Sequence, residues 1–267
     1  MMYKILCSDL DGTLLSTKSD VSDYAIKQIS RIKNNTRVIL VSARMPSGML
    51  YIQESLGITN QPIVCYNGAL VVNENKVLNS VYIPIHIIKD LHKLCMGQQA
   101  DLGLYYNNEW CVPQTSERVE KETKYTKSTP IFESTNTTLA KWEERKVGAH
   151  KIMLMGTKES TDTLMPLLQK NYIQHLNIYR SNDTLIELAP KSVSKLSAIK
   201  LLIGKNETLK DIIAFGDNYN DIEMLENVGC GVAVENARAE VKKISKHITL
   251  KNTEDGVARF IEEHLVI

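Results

Sequence analysis

The sequence contains few of the features that mark specialised protein classes. Its five cysteines are scattered, and no C-x-x-C occurs: Cys7, Cys65, Cys95, Cys111 and Cys230. This odd, dispersed set predicts reduced thiols rather than a disulfide framework. The six histidines are also dispersed, with no H-E-x-x-H and no pair at i, i+4, which argues against a zinc site. Any bound metal is therefore expected to be a hard cation with oxygen ligands.

Membrane-spanning segments and a strong net charge are also missing. No stretch approaches the roughly 18 uninterrupted apolar residues that a membrane span requires, and 32 basic residues stand against 31 acidic ones. The charge balance gives no indication of a nucleic-acid partner, and the run Lys242, Lys243 and Lys246 is expected to be a solvated helix face. Residues 1–6 lack the apolar region of a signal peptide, so we expect a cytoplasmic protein without a membrane partner.

Both ends of the chain alternate between strand and helix patterns. The predicted strands are residues 3–8, 38–41, 63–66 and 69–72 in the first part, and 211–215, 231–234 and 247–250 in the last. Ser22 is a predicted N-cap, and the helix after the second strand is expected to begin at Pro46 and end at Gly57. Asn67 and Gly68 predict a hairpin turn. The alternation predicts an α/β fold, with a parallel sheet covered by helices on both faces.

The middle of the chain follows a different pattern. Helices are predicted over residues 85–96 and near 160–171, together with short strands and no regular alternation. Because proline fixes φ and suits stiff connections, Pro84 and Pro190 are expected to bracket an inserted α/β domain. The predicted core comprises residues 1–83 and 190–267, and the predicted insert comprises residues 84–189. One large domain with a long excursion remains an alternative.

Three aromatic residues of the insert have two possible roles. Tyr105, Tyr106 and Trp110 could stack on a sugar, but a strand that packs its core would have the same pattern. Core packing is the preferred interpretation.

Four short motifs each follow a predicted strand or begin a helix. Asp9 and Asp11 follow the first strand, Ser42 follows the second, Lys195 begins the helix SKLSAIKLL, and GDNYND (216–221) follows the strand that ends at residue 215. In an open parallel sheet, ligand groups collect at the carboxyl ends of the strands, so these segments are expected to converge. Their combined chemistry predicts a phosphate site.

The residue types suit transfer of a phosphoryl group. Asp9 offers a carboxylate nucleophile, and Asp11 offers an acid and base two residues later. A phosphomonoester repels a carboxylate, so a divalent cation is expected to bridge Asp9 and a phosphate oxygen. Mg²⁺ fits best, with oxygen ligands from Asp9, Asp11 and Asp217 and with Asp221 in the same acidic motif.

Neighbouring residues complete the predicted site. Gly12 permits a sharp turn after the acidic pair, while Thr13 and Ser42 can donate hydrogen bonds to phosphate oxygens. A lone D-x-D is a weak signal, because it also occurs in calcium loops, in manganese sites of sugar transferases and in solvated turns. D-x-D-G-T-L directly after an apolar strand, combined with a second acidic cluster, is much more specific.

These motifs resemble those of the haloacid dehalogenase superfamily, in its Cof-like subfamily of sugar-phosphate phosphatases. The resemblance spans nearly the whole chain and is carried by DLDGTL (9–14), Ser42 in VSAR, Lys195 in SVSKLSAI, GDNYND (216–221) and the ending GVAVENARAEVKK. It implies a Rossmann-like core with helices on both faces and the larger α/β (type IIB) cap inserted between the second and third motifs. The family commonly has glycine where Ala43 and Leu196 stand here, and a small residue in place of Glu235.

The resemblance also implies a role for each matching residue. Asp9 would be the nucleophile, Asp11 the general acid and base that also lends its backbone carbonyl to Mg²⁺, and Asp217 a metal ligand. The remaining implied roles are phosphate binding by Ser42, Lys195 and Asn220, outer-shell support of the metal by Asp221, and backbone donors near Leu10 and Ala43.

The expected function is Mg²⁺-dependent hydrolysis of phosphomonoesters of small metabolites, mainly sugar phosphates, through an aspartyl phosphate. A phosphomutase or phosphotransferase that uses the same aspartyl phosphate is an alternative. A phosphosugar-binding regulator without activity is a third possibility. The expected partner is a small phosphorylated metabolite, and the sequence gives no indication of the oligomeric state.

Overall fold

The chain forms two compact units in the computed structural model, which describes residues 3–16, 19–74 and 76–266. The first unit comprises Met1–Asn79 and Ser194–Ile267, and the second comprises Ser80–Val193. Pro84 and Pro190 lie inside the second unit rather than at its ends. Pro84 directly precedes the first helix of that unit, and Pro190 is the last residue of its last strand.

The N-terminal part of the first unit alternates strands and helices. Its elements are β1 (Ile5–Ser8), α1 (Asp23–Ile32), β2 (Arg37–Val41), α2 (Ser47–Leu56), β3 (Ile63–Cys65), β4 (Leu70–Asn73) and β5 (Lys76–Ser80), whose last residue is the first of the second unit. As predicted, Ser22 caps α1 by accepting a hydrogen bond from the Ala25 N–H at 3.0 Å, and α2 ends at Gly57 with a φ of +64°. Strand β5 was not predicted, because most of its residues are exposed and show no apolar face.

The second unit contains more elements than the sequence predicts. They are α3 (Ile85–Met96), β6 (Asp101–Tyr106), β7 (Glu109–Val112), α4 (Glu117–Thr126), β8 (Ile131–Phe132), α5 (Thr135–Glu144), β9 (Lys151–Met155), α6 (Lys158–Tyr172), β10 (Leu176–Asn182) and β11 (Leu185–Pro190). Helix α3 has the predicted bounds. Helix α4 was missed because it is mostly polar, with only Val119 and Thr126 buried.

The C-terminal part returns to the first unit. It contains α7 (Lys195–Leu201), β12 (Ile212–Gly216), α8 (Ile222–Asn227), β13 (Cys230–Val234), α9 (Ala239–Ile244), β14 (His247–Thr249) and α10 (Gly256–His264). Lys195 is the first residue of α7, as expected. The N-cap of α7 is Ser194. The Ser194 hydroxyl accepts the Ser197 N–H at 3.1 Å, and the Ser197 hydroxyl accepts the Ser194 N–H at 2.8 Å.

The first unit is organised around one eight-stranded sheet in the order β14-β13-β12-β1-β2-β3-β4-β5. The strands from β14 to β3 are parallel, and β4 returns antiparallel to β3. Strands β1 and β2 are consecutive in the chain, whereas β12, on the other side of β1, follows the whole insertion. Strand order therefore changes direction at β1, and ligands bind at the carboxyl ends of strands at such a point.

The second unit is built on a six-stranded sheet in the order β10-β11-β9-β6-β7-β8, antiparallel except for β7 and β8. Its apolar core lies where α3, α5 and α6 pack on the strands and includes Leu91, Trp142, Leu164, Ile152 and Leu188. Tyr105 and Trp110 are 1% and 0% exposed and stack on each other, and Tyr106 is partly buried against this core, so all three pack inside the unit, as the preferred interpretation predicts.

All five cysteines are free, as the sequence predicts, and all five are buried. Within the described residues, no helix is long and apolar enough to cross a membrane.

Candidate active site

Three of the predicted motifs lie at the same edge of the sheet of the first unit. Ser8, the last residue of β1, pairs with Phe215 of β12 and with Leu40 of β2. Because these strands are parallel, the residues that follow them emerge side by side. The register therefore brings Asp9 and the segments that begin at residues 42 and 217 together.

Lys195 joins the third motif to this edge. Its Nζ donates hydrogen bonds to Asp9 Oδ1 and Asp221 Oδ1, each at 2.6 Å, and the residue is only 1% exposed. Burial by itself would lower the pKa of Lys195, but the two carboxylates raise it above its usual value. The lysine is therefore a fixed positive charge between the first and fourth motifs.

The carboxylates around this lysine form a compact acidic cluster. Asp9, Asp217 and Asp221 each offer one oxygen, and these oxygens all lie within 4.8 Å of one another. Burial, with repulsion from the other carboxylates, raises the pKa of Asp9 well above its usual range and that of Asp217 to about 6. Lys195 opposes both shifts without cancelling them.

The cluster suits a hard divalent cation. Three carboxylates face a single ammonium group, so the site carries excess negative charge that a cation would neutralise, and carboxylate oxygens are ligands that Mg²⁺ prefers. Gly12 contributes space: its φ is +86°, and a Cβ there would lie 2.7 Å from Asp217 Oδ2. A side chain at position 12 would therefore displace Asp217.

Both carboxylate oxygens of Asp221 accept hydrogen bonds from protein groups. Its Oδ2 accepts the backbone N–H groups of Asp217 at 3.0 Å and Asn218 at 3.1 Å, while Oδ1 accepts from Lys195. It is fully buried. Asp221 thus belongs to the acidic cluster itself and fixes the loop that carries Asp217.

The carboxylate of Asp11, the expected general acid and base, lies outside this cluster. Arg44 donates to both of its oxygens, from Nε to Oδ2 at 2.8 Å and from Nη2 to Oδ1 at 2.6 Å. Arg44 is 3% exposed, and its Nη1 donates to the Gly48 carbonyl at 3.1 Å and the Tyr51 hydroxyl at 3.0 Å. Arg44 is not among the predicted site residues, although a charged residue two positions after Ser42 at a strand end is a usable signal.

Thr13 and Ser42 were expected to donate to phosphate. The Thr13 hydroxyl instead donates to Asp217 Oδ1 at 3.2 Å, which orients that carboxylate. The Ser42 hydroxyl accepts the Arg44 N–H at 3.2 Å, so its own hydrogen remains for a ligand. In the described part of the chain, the backbone N–H groups of Leu10 and Ala43 have no hydrogen-bond partner. Both are therefore available to donate to a ligand.

Asn220 lies beside Asp221 and has a partner that the sequence analysis missed. Its Nδ2 donates to Asn67 Oδ1 at 2.9 Å. The sequence predicts Asn67 as a hairpin residue, and β3 and β4 do form an antiparallel pair around it. The missed signal is its position after β3, the strand next to β2 at the same edge of the sheet.

Two further asparagines stabilise the loop after β1. Asn236 Nδ2 donates to the Gly12 carbonyl at 2.8 Å, and its Oδ1 accepts the Asn252 N–H at 2.9 Å. Asn252 Nδ2 in turn donates to the Leu15 carbonyl at 2.9 Å. Residues of the C-terminal part of the chain therefore fix the backbone of the loop that carries the first motif.

Known proteins are similar to this chain over nearly its whole length. A family model described as haloacid dehalogenase-like hydrolase matches residues 6–261. A putative phosphatase of Haemophilus influenzae is 35% identical, and the alignment covers 98% of each chain. The 5-amino-6-(5-phospho-D-ribitylamino)uracil phosphatase of Bacillus subtilis is 28% identical, with 97% of each chain covered. A haloacid dehalogenase-like hydrolase of Bacteroides thetaiotaomicron, a solved structure, has a TM-score of 0.89 at 27% identity, covering 98% of this chain and 99% of that one.

Proposed function

Because the chain belongs to the haloacid dehalogenase-like hydrolases and is a phosphatase of that family, we propose that it hydrolyses phosphomonoesters of small cytoplasmic metabolites, mainly sugar phosphates. The observation that carries the proposal is the meeting of Asp9, Lys195 and the acidic cluster at one edge of the sheet. The Bacillus subtilis relative supports the substrate class, because its name describes a phosphorylated ribityl compound.

Asp9 is the proposed nucleophile. One of its oxygens accepts from Lys195, which holds the carboxylate in one orientation. Its second oxygen attacks phosphorus, so that an O–P bond to Asp9 forms and the bond to the leaving alkoxide breaks. The raised pKa of Asp9 reflects burial among like charges, and a bound cation would oppose it by favouring the ionised, nucleophilic form.

Asp11 is the proposed general acid and base. In its protonated form it gives a proton to the departing alkoxide oxygen. It then removes a proton from the water whose oxygen attacks the aspartyl phosphate, which releases phosphate and restores Asp9. Arg44 determines where the Asp11 carboxylate lies through its two hydrogen bonds.

The remaining residues bind phosphate and metal in this proposal. Lys195, Ser42 and Asn220 contact the phosphate oxygens together with the N–H groups of Leu10 and Ala43, as the motifs imply. Mg²⁺ would be held by Asp9, Asp217 and the backbone carbonyl of Asp11, with Asp221 supporting it, and supplies positive charge that allows a phosphate dianion to approach Asp9. The excess negative charge of the cluster supports this assignment.

The insert is proposed to select the leaving group as a cap domain. Replacing residues 84–189 by a short linker is expected to remove the ranking among phosphorylated metabolites while leaving some hydrolysis of p-nitrophenyl phosphate. A ranking of substrates that is unchanged by the replacement would contradict a role in specificity.

The decisive experiment measures phosphate release from a panel of phosphorylated sugars, nucleotides and cofactors, with Mg²⁺ and with EDTA. We expect release that requires Mg²⁺ and is abolished by Asp9→Asn, because an amide is a far poorer nucleophile. Asp183→Asn, the same exchange at an exposed aspartate, is the control. Near-normal turnover of Asp9→Asn would rule out the covalent route, and transfer of label to a sugar hydroxyl instead of water would favour a mutase or phosphotransferase.

A further inference from the structure

The turn after β3 has an unusual backbone. Tyr66, Asn67 and Gly68 have consecutive φ values of +51°, +55° and +105°. Only glycine adopts such values without cost, and Tyr66 is a bulky residue that is 1% exposed. Strained backbone of this kind persists when the surrounding contacts hold it in place, and it occurs preferentially at functional sites.

The contacts of this turn extend to two of the predicted motifs. The Tyr66 N–H donates to the Arg44 carbonyl at 3.1 Å, and the Asn67 N–H donates to the Ser42 carbonyl at 2.9 Å. Gly68 lies so close to the start of α7 that a Cβ would be 2.3 Å from the Ser194 carbonyl oxygen. The turn is therefore held against the segment of Ser42 and against the helix that begins with Lys195.

The Asn67 side chain adds a link to the fourth motif. Its Oδ1 accepts one N–H of Asn220, a residue 153 positions away in sequence. Among the described residues, no other partner is found for the Asn67 Nδ2 or for the Asn220 Oδ1. The hydrogen bond therefore decides which way the Asn220 amide faces, and it leaves the second N–H of that amide for a ligand.

We infer that Asn67 is a positioning residue, which acts on the substrate by orienting Asn220. A simpler explanation is that asparagine is present only because it tolerates a left-handed backbone. That explanation accounts for the φ of +55° but does not require its amide to contact Asn220. The inference rests on the proposed function, in which Asn220 contacts the phosphate.

Asn67→Gly separates the two explanations, since glycine keeps the left-handed backbone and removes only the amide. If Asn67 orients Asn220, we expect kcat/KM to fall about tenfold, and the inhibition constant of inorganic phosphate to rise by a similar factor. The melting temperature should be unchanged or higher. Asn107→Gly is a matched control, because Asn107 also has a positive φ, +49°, and lies in the second unit.

A double-mutant cycle tests whether the effect passes through Asn220. In an Asn220→Ala background, Asn67→Gly should change kcat/KM by less than about twofold, because the group that it positions is gone. Equal losses in both backgrounds, or an Asn67→Gly enzyme with unchanged kcat/KM, would overturn the inference. If Asn67→Gly is poorly folded, Asn67→Asp, which keeps the acceptor oxygen, should retain the coupling to Asn220.

Asp9→Asn is measured in parallel to separate this inference from the proposed function. An inactive Asp9→Asn with a fully active Asn67→Gly would leave the phosphatase mechanism standing and remove the role of Asn67. An active Asp9→Asn would refute the mechanism whatever Asn67→Gly does.

Discussion

Arg44 binds the carboxylate of Asp11 through two hydrogen bonds, of 2.8 Å from Nε to Oδ2 and 2.6 Å from Nη2 to Oδ1. The guanidinium is itself fixed by the Gly48 carbonyl and the Tyr51 hydroxyl, which in turn donates to the Ser19 carbonyl. Burial by itself would lower the pKa of Arg44, but Asp11 and, to a smaller extent, Tyr51 raise it. The orientation of the proposed acid and base is thus determined by α2 and not by the acidic cluster.

Arg44→Lys should therefore impair catalysis more than substrate binding. A lysine keeps the charge but cannot make the two parallel hydrogen bonds, so Asp11 would lose its fixed orientation. We expect kcat to fall by about 10- to 100-fold with a smaller change in KM, as measured by steady-state kinetics.

The matched control is Arg37→Lys, because Arg37 also pairs with a carboxylate, that of Glu207, at 2.6 Å. Arg37 is the first residue of β2, and the site lies at the opposite end of that strand. This variant should keep its kcat. If Arg44→Lys behaves like Arg37→Lys in kinetics, Asp11 does not depend on the arginine for its position.

Divalent metal should stabilise the protein through the acidic cluster. A cation that binds the native state at 100 times its dissociation constant raises the free energy of unfolding by about 2.7 kcal/mol. We therefore expect Mg²⁺ to raise the melting temperature of the wild type, and Asp217→Asn to lose most of this increase. Asp183→Asn should retain it, and an equal increase in all three proteins would mean that the ion binds elsewhere.

Gly12→Ala should reduce activity strongly. Alanine at a φ of +86° is strained, and its Cβ would lie 2.7 Å from Asp217 Oδ2, so Asp217 must move. We expect at least a tenfold loss of kcat/KM, together with weaker stabilisation by Mg²⁺. Gly97→Ala is the control, because nothing lies within 4 Å of its Cβ position and its φ of −87° suits alanine. Full activity of Gly12→Ala would contradict the tight packing of the loop on Asp217.

His150 should make the second unit less stable in acid. The ring is fully buried, its Nδ1 accepts the Asn107 N–H at 3.1 Å, and its Nε2 therefore carries the proton, 2.9 Å from Ser80 Oγ. Burial lowers the pKa of His150 from 6.5 to about 4. Because the unfolded chain binds the proton more readily, this contribution to stability is complete above pH 6.5 and is lost as the pH falls towards 4.

The expected loss from this single group is roughly 3 kcal/mol between those pH values. Urea unfolding at pH 7 and at pH 5 covers part of this interval and should show a loss of about 2 kcal/mol. His150→Asn should show a smaller decrease than the wild type. His175→Asn, at an exposed histidine of the same unit, controls for the exchange itself. A wild type and a His150→Asn variant that lose stability equally would show that this ring does not titrate on unfolding.

Much of the first unit could be predicted because its signals are local. Strand and helix periods, the cap at Ser22 and the glycine at position 57 depend on residues close together in the chain. In the second unit, α4 and α5 could not be found in this way. Only Val119 and Thr126 of α4 are buried, and two of the four buried residues of α5 are threonines, so the apolar period that marks a helix is weak in both.

The sequence by itself determined the α/β class, the strand ends that carry the motifs and the kind of chemistry, because each of these follows from short segments. The tertiary structure alone decided which polar groups meet: Asp11 with Arg44, Asp221 with Lys195 and Asn67 with Asn220. These partners lie 33, 26 and 153 positions apart. A side chain's hydrogen-bond partner depends on strand register and on the packing of loops from distant parts of the chain, and no local pattern encodes either.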